Sequence, residues 1–133
     1  MKVKFTKLVA ALLYLWQLPQ NLLGLLLVTI LRPEEVYDFE GVKLYYASRM
    51  KGGISLGQYL IIWDVMKDYT GATEQHELGH AKQSRILGWF YLFVIGLPSI
   101  LWAAWWNEDR ARSYYSFYTE RWADILGGVN RDE

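Results

Sequence analysis

Thr73-Glu74-Gln75-His76-Glu77-Leu78-Gly79-His80-Ala81-Lys82-Gln83 is the stretch whose reading decides the rest of the chain. The sequence holds two histidines, and both are here, four residues apart, with Glu77 directly after the first. On a helix, positions i and i+4 are separated by about 40° and about 6 Å of rise, so both imidazoles can reach one tetrahedral Zn²⁺. Glu77 then points to the edge of that face, where a carboxylate can take a proton from a water that the metal has acidified. A polar helix face without a metal would use the same five residues, so the zinc reading calls for a third ligand elsewhere.

The helix carrying these residues is expected to start near Thr70 or Thr73, both N-cap types, and to stop at Gly88. Gly79 weakens the helix but allows another backbone, or a substrate, to come close. Upstream, Val42, Leu44 and Tyr46 alternate with Lys43 and Tyr45, Gly52-Gly53 marks a turn, and Ile54 to Trp63 reads as a second strand. The expectation is a small antiparallel hairpin just before the metal helix.

Two long uncharged runs flank this centre. From Leu8 to Leu31 there is no charge, behind Lys2, Lys4 and Lys7, and the run exceeds the roughly 20 residues that cross a bilayer core. No small-x-small cleavage site follows, so it is read as retained. Gln17-Leu18-Pro19-Gln20-Asn21 interrupts its middle, where Pro19 either kinks a spanning helix or turns a hairpin that dips into the bilayer and returns. Ile86 to Asn107 is again uncharged, with aromatics at both ends and Gly96-Leu97-Pro98 at its centre. Aromatics are 17% of the chain, including seven Trp and ten Tyr, residue types that favour membrane interfaces.

At 133 residues the chain makes a single domain, 1–133. Fourteen Lys plus Arg balance fourteen Asp plus Glu, which gives no sign of a nucleic-acid partner. The lack of cysteine excludes disulfides and thiolate ligands.

The third ligand is sought in the last segment, Glu108 to Glu133, which is charged and helical in pattern and ends at Gly127-Gly128. Glu120 and Asp124 lie at i and i+4 there. A helical carboxylate completes a His/His/Glu set, and an acid one turn on can accept the remaining N–H of a ligating imidazole. A solvated acidic edge, or a pairing with Arg121, would look the same in sequence.

Taken together, His76-Glu77-x-x-His80 followed by Glu120-Arg121-Trp122-Ala123-Asp124 resembles the signature of the gluzincin metallopeptidases. The form Glu-x-x-Ala-Asp is most similar to membrane-embedded members, the HtpX-type and type I CaaX prenyl proteases. The resemblance implies that His76, His80 and Glu120 bind zinc, that Glu77 is the general base and that Asp124 orients a ligand. It also implies an oxyanion stabiliser, for which Tyr114, Tyr115, Tyr118 and Arg121 are the candidates, and an upstream substrate-binding strand, placed at Leu56, Gln58 and Leu60.

The fold class expected is α+β, mainly helical: a membrane-associated minimal zincin core with a small antiparallel hairpin and apolar helical segments at 8–31 and 86–107. The function expected is a zinc-dependent endopeptidase acting on a peptide or membrane-protein substrate, with its active site on the cytoplasmic side of a bilayer. Two alternatives are a non-catalytic zinc-binding membrane scaffold and a soluble peptidase with two apolar core helices, the latter allowed by a mean hydropathy of +0.02. Because the histidines precede the second apolar run and Glu120 follows it, a full crossing there would separate the ligands. Residues 86–107 are therefore expected to form a bent or re-entrant hairpin broken near Gly96-Leu97-Pro98, and Pro19 to break the first run in the same way or to kink a spanning helix there.

Overall fold

In a computed structural model of the chain, residues 2–67, 71–106 and 114–131 are described. The expected cap at Thr70, the end of the second apolar run at Asn107, and the start of the last segment from Glu108 lie outside them. The architecture is mixed α+β and mainly helical, with a small sheet.

The first apolar run is two helices, α1 (Lys2–Trp16) and α2 (Leu18–Leu31), bent by 93°. The break falls at Gln17 rather than at Pro19. Proline sits in the first turn of α2, where its missing N–H is not needed. The bend coincides with the polar interruption: Gln17, Gln20 and Asn21 are buried, Gln17 Nε2 and Asn21 Nδ2 donate back to the Leu13 and Tyr14 carbonyls of α1 at 3.0 and 2.9 Å, and the three side chains also reach other elements. Gln17 accepts from Ser84 Oγ at 2.6 Å, Gln20 Nε2 donates to Ser84 Oγ and to the Gly88 carbonyl, each at 2.8 Å, and Asn21 accepts the Gln58 N–H at 2.7 Å. Among the described residues, no single helix is long and apolar enough to cross a membrane, although α1 and α2 together pass that test as a bent pair.

The sheet differs from the expected hairpin. Its strands are β1 (Glu35–Phe39), β2 (Val42–Ala47), β3 (Gly53–Leu56) and β4 (Tyr59–Trp63), in the order β1-β2-β4-β3. β1 and β2 form one antiparallel hairpin through Glu40-Gly41, whose φ values of 49° and 89° fit a type I′ turn. β3 and β4 form another through Gly57, at φ 65°. The single strand expected over 54–63 is therefore two, because Gly57 supplies the positive φ that reverses the chain. The two stretches read as hairpin partners, 42–46 and the later part of 54–63, instead pair in parallel, with Leu44 opposite Leu60. The alternation itself holds: Val42, Leu44 and Tyr46 join Leu60, Ile62, Leu78 and Ala81 in one buried cluster.

The helix that carries both histidines, α3 (Ala72–Leu87), is capped by Gly71 and stopped by Gly88, as expected at its C-terminal end. Thr73 lies inside it rather than at its cap. Leu78 and Ala81 face the sheet, while Gly79 faces α5 (Tyr118–Gly127). A Cβ on Gly79 would stand 1.8 Å from the Ala123 carbonyl oxygen, and one on Gly127 would stand 2.0 Å from that of Gln75.

The second apolar run is not a hairpin. A π-helical turn, Leu92–Gly96, continues directly into α4 (Leu97–Trp105). Pro98 cannot bond the carbonyl of Val94, but the Leu97 N–H bonds Leu92 in the wider π register and the Tyr118 hydroxyl donates to Val94 O at 2.7 Å. The proline is thus absorbed without a break. The ligand helices are brought together instead because α4 lies against the Tyr114–Phe117 segment, with Trp102 donating to Tyr114 O at 2.7 Å and stacking on Phe117 at 4.7 Å.

Gly79→Ala tests the closeness of α3 and α5. Its helix propensity would improve by about 1 kcal/mol, but overpacking against a backbone carbonyl costs about 1–3 kcal/mol or more, so the melting temperature should fall. An unchanged or raised melting temperature would show that the helices do not approach this closely.

Candidate metal centre

Three lone-pair donors converge between α3 and α5. His76 Nε2 and His80 Nε2 each lie 3.0 Å from Glu120 Oε1, and the three ligand atoms fall within 4.8 Å of one another, all on buried residues. The other ring nitrogens are already engaged. His76 Nδ1 meets Asp124 Oδ1 at 2.7 Å and His80 Nδ1 meets Gln83 Oε1 at 2.7 Å. Gln83 is oriented by its own amide, which donates to Thr119 O at 2.9 Å, so its oxygen must face the imidazole. Both Nδ1 atoms therefore carry a proton, so each Nε2 faces the carboxylate either with a lone pair, as a metal ligand does, or with a second proton. Facing lone pairs repel one another unless a proton or a metal ion stands between them, and a buried His/His/Glu group of this kind could hold a metal ion.

The electrostatics agree. Burial pulls the His76 pKa down, but hydrogen bonds to Glu120 and Asp124 and the charge of Glu77 outweigh it and push the group up to about 9. Burial pushes Glu120 up, but hydrogen bonds from both imidazoles hold its carboxyl well below the usual range. The site thus favours positive charge at His76 beside an ionised Glu120, a demand that a cation would also meet. Glu77 behaves oppositely: burial raises its pKa against the lowering influence of the two histidines. Its Oε1 is buried without a hydrogen-bond partner among the described residues, as suits a group kept free for another molecule.

Glu120 is further anchored through Oε2, which accepts from Ser99 Oγ at 2.5 Å and from Thr119 Oγ1 at 2.9 Å. Ser99, on apolar α4, carried no signal in sequence as a partner of the site.

The centre opens into a cavity of about 670 Å³ walled by Leu23, Leu26, Leu27 and Ile30 of α2, by Leu97, Ile100 and Ala103 of α4, and by all of β3. His76, Glu77, His80, Glu120, Tyr114 and Tyr115 line it; Tyr118 and Arg121 do not. Tyr118 is occupied with Val94, and Arg121 is exposed on α5. Of the three residues assigned to a substrate strand, Leu56 alone belongs to β3. Gln58 is in the turn, tied to Asn21, and Leu60 is fully buried in β4 between two neighbouring strands. The strand beside the site is Gly53–Leu56, which among the described residues pairs only with β4. A Cβ at Gly53 would lie 2.8 Å from Glu77 Oε2, so the glycine lets this edge pass against the acid.

Two lining residues escaped the sequence reading. Tyr91 donates its hydroxyl to Ser55 O on β3 at 3.1 Å. Arg131 returns to Asp124 from beyond α5, and the signal for it was Gly128, at φ 73°, a C-terminal cap that folds the following residues back over the last turn.

Compared with known protein families, with curated proteins and with solved structures, the chain matches none, and the functional reading rests on this geometry.

Proposed function

We propose that the chain is a membrane-associated, zinc-dependent endopeptidase with a gluzincin-like minimal core. The observation that carries this reading is the convergence of His76 Nε2, His80 Nε2 and Glu120 Oε1 beside the unpartnered carboxylate of Glu77. Two imidazoles and one carboxylate suit Zn²⁺ and leave one position of a tetrahedron open, as catalytic sites do. When bound, the ion supplies Lewis acidity, which polarises a carbonyl and makes water easier to deprotonate.

The chain's own residues supply the rest. Glu77, its pKa raised by burial toward the working range of a general base, takes a proton from the attacking water as the water oxygen bonds to the scissile carbon. It then delivers that proton to the amine as the C–N bond breaks. Tyr114 and Tyr115 line the cavity, and burial raises the pKa of both phenols, so either remains a hydrogen-bond donor for a developing oxyanion at neutral pH. The edge of β3 offers an extended peptide a strand to pair with, next to Glu77. A non-catalytic zinc scaffold would need the three ligands but has no use for a buried, unpartnered Glu77.

Membrane association is supported by the outward faces of the apolar helices. Leu22 and Leu25 on α2, and Phe93, Leu101 and Trp105 in the second run, are exposed, Phe93 by 75%. A core helix of a soluble peptidase would bury these side chains. Exposed apolar surface this extensive marks an interaction face, and the absence of charge along both runs favours lipid as what covers it. With Lys7 and the basic N-terminus at one end, the site falls on the cytoplasmic side in this reading.

Glu77→Gln should keep the metal and lose cleavage of a peptide library, whereas His80→Ala should lose both. Release of zinc by Glu77→Gln, or wild-type cleavage, would refute the roles assigned. Asp124→Asn should weaken zinc binding by roughly 10–100-fold, and Glu120→Ala should weaken it further; the opposite order would mean that Glu120 is not a ligand. On detergent phase separation the protein should enter the detergent phase, and charged residues at Phe93 and Leu101 should drive it out. Recovery of the wild type from the aqueous phase would refute the membrane reading.

A further inference from the structure

Four side chains, His76 among them, close a ring. His76 Nδ1 donates to Asp124 Oδ1 at 2.7 Å. Arg131 donates to both oxygens of the same carboxylate, from Nε to Oδ2 at 2.7 Å and from Nη2 to Oδ1 at 3.2 Å. Its guanidinium carbon lies 3.4 Å from the centre of the Tyr115 ring, and that ring meets the His76 imidazole edge-on, at 5.2 Å and 82°. Each member touches the next, and the last returns to the first.

We infer that Arg131 is a positioning residue of the metal centre, acting through Asp124 and Tyr115 to hold the His76 imidazole with Nε2 turned toward the ion. The inference rests on the proposal that His76, His80 and Glu120 bind a metal.

The physical case begins with Asp124. Among the described residues its other side-chain partner is the His76 N–H, and a carboxylate held by a single hydrogen bond can rotate away from the ring it orients. The Arg131 fork fixes the carboxylate plane at both oxygens, which is what a bidentate guanidinium does and a single ammonium cannot. Tyr115 adds the second constraint. Its ring supports the guanidinium from one side, by cation–π stacking, and limits the tilt of the imidazole from the other. His80 is served differently, through Gln83 on its own helix. His76 draws its support from α5, from the turn at Tyr114–Ser116 and from the chain beyond Gly128.

Arg131 is delivered to this place by the end of α5. The Gly128 N–H bonds Ile125 O at 3.2 Å and the Val129 N–H bonds Asp124 O at 2.8 Å, the paired bonds of a Schellman turn, which sends the chain back along the helix toward Asp124. An arginine that merely stapled this returning segment to the surface would alter stability but leave a bound ion undisturbed. One that positions His76 would alter the ion itself.

The test measures metal rather than activity. The full chain in detergent micelles is titrated with Zn²⁺ against a chromophoric chelator, and with Co²⁺ by visible absorption, for the wild type, Arg131→Ala, Arg131→Lys, Asp124→Asn and the Arg131→Ala/Asp124→Asn double variant. Arg131→Ala should lower Zn²⁺ affinity roughly 10-fold and change the Co²⁺ spectrum, and Arg131→Lys should not restore either. In the Asp124→Asn background, Arg131→Ala should add no more than about a further twofold, because the two act as one unit. Tyr115→Leu, which removes the stacking face while leaving the returning segment intact, should reproduce the loss and keeps the test open if Arg131→Ala does not fold. Wild-type affinity and spectrum in Arg131→Ala or Tyr115→Leu, or losses that multiply in the double variant, would overturn the inference while leaving the metal centre standing. A wild type that binds neither ion would overturn the metal centre and this inference with it.

Discussion

The bare contact between α3 and α5 is the constraint on which the site depends. At Gly79 the two helices approach until a single methyl would meet the Ala123 carbonyl, and Gly127 makes the reciprocal approach to Gln75. Only at such a separation can an imidazole from one helix and a short carboxylate side chain from the other meet at 3.0 Å. α3 is thereby divided among three duties by its own periodicity. Leu78 and Ala81 hold the sheet, Gly79 admits α5, and His76, Glu77 and His80 face the cavity. A larger residue at 79 or 123 would move the ligands apart without touching either of them.

How much of this could be read from sequence depended on the range of the interaction. The convergence of His76, His80 and Glu120 was legible because each half is local: His76 and His80 share a helix face, as do Glu120 and Asp124, and Gly79 and Ala123 are small where the helices cross. The sheet was legible only as alternation. Val42, Leu44 and Tyr46 were correctly read as one face, but period-two patterning does not say whether the partner runs parallel or antiparallel, and Gly57 lies inside an apolar run that reads equally well as one strand. β1 was missed because most of it is exposed, with no buried face to impose a pattern.

Pro98 misled for a related reason. Proline removes one N–H and leaves one carbonyl unpaired, and local reasoning converts that into a break. The carbonyl of Val94 instead finds the hydroxyl of Tyr118, more than a helix away in sequence, and the π turn before it widens the register. Gln17, Gln20 and Asn21 follow the same principle in reverse. They were noticed as an interruption, yet their partners, Ser84, Gly88 and Gln58, lie on elements that the interruption does not reveal. Leaving such groups buried and unpaired would cost about 1–3 kcal/mol each, and the bend between α1 and α2 lets Gln17 and Asn21 bond both back to α1 and across to Ser84 and Gln58.

These long-range bonds also change what the apolar segments are for. Gln17 and Gln20 grip Ser84, one residue beyond the Gln83 that orients His80, while Ser99 of α4 donates to the oxygen of Glu120 that does not face the histidines. Each apolar segment therefore holds one side of the ligand set through a polar side chain set into an otherwise apolar run. A helix that served only as an anchor would need no polar residue there, and burying one would be a net cost. Their position and their partners make α2 and α4 parts of the site itself, so whatever covers the outer faces of these helices also bears on how Glu120 and His80 are held.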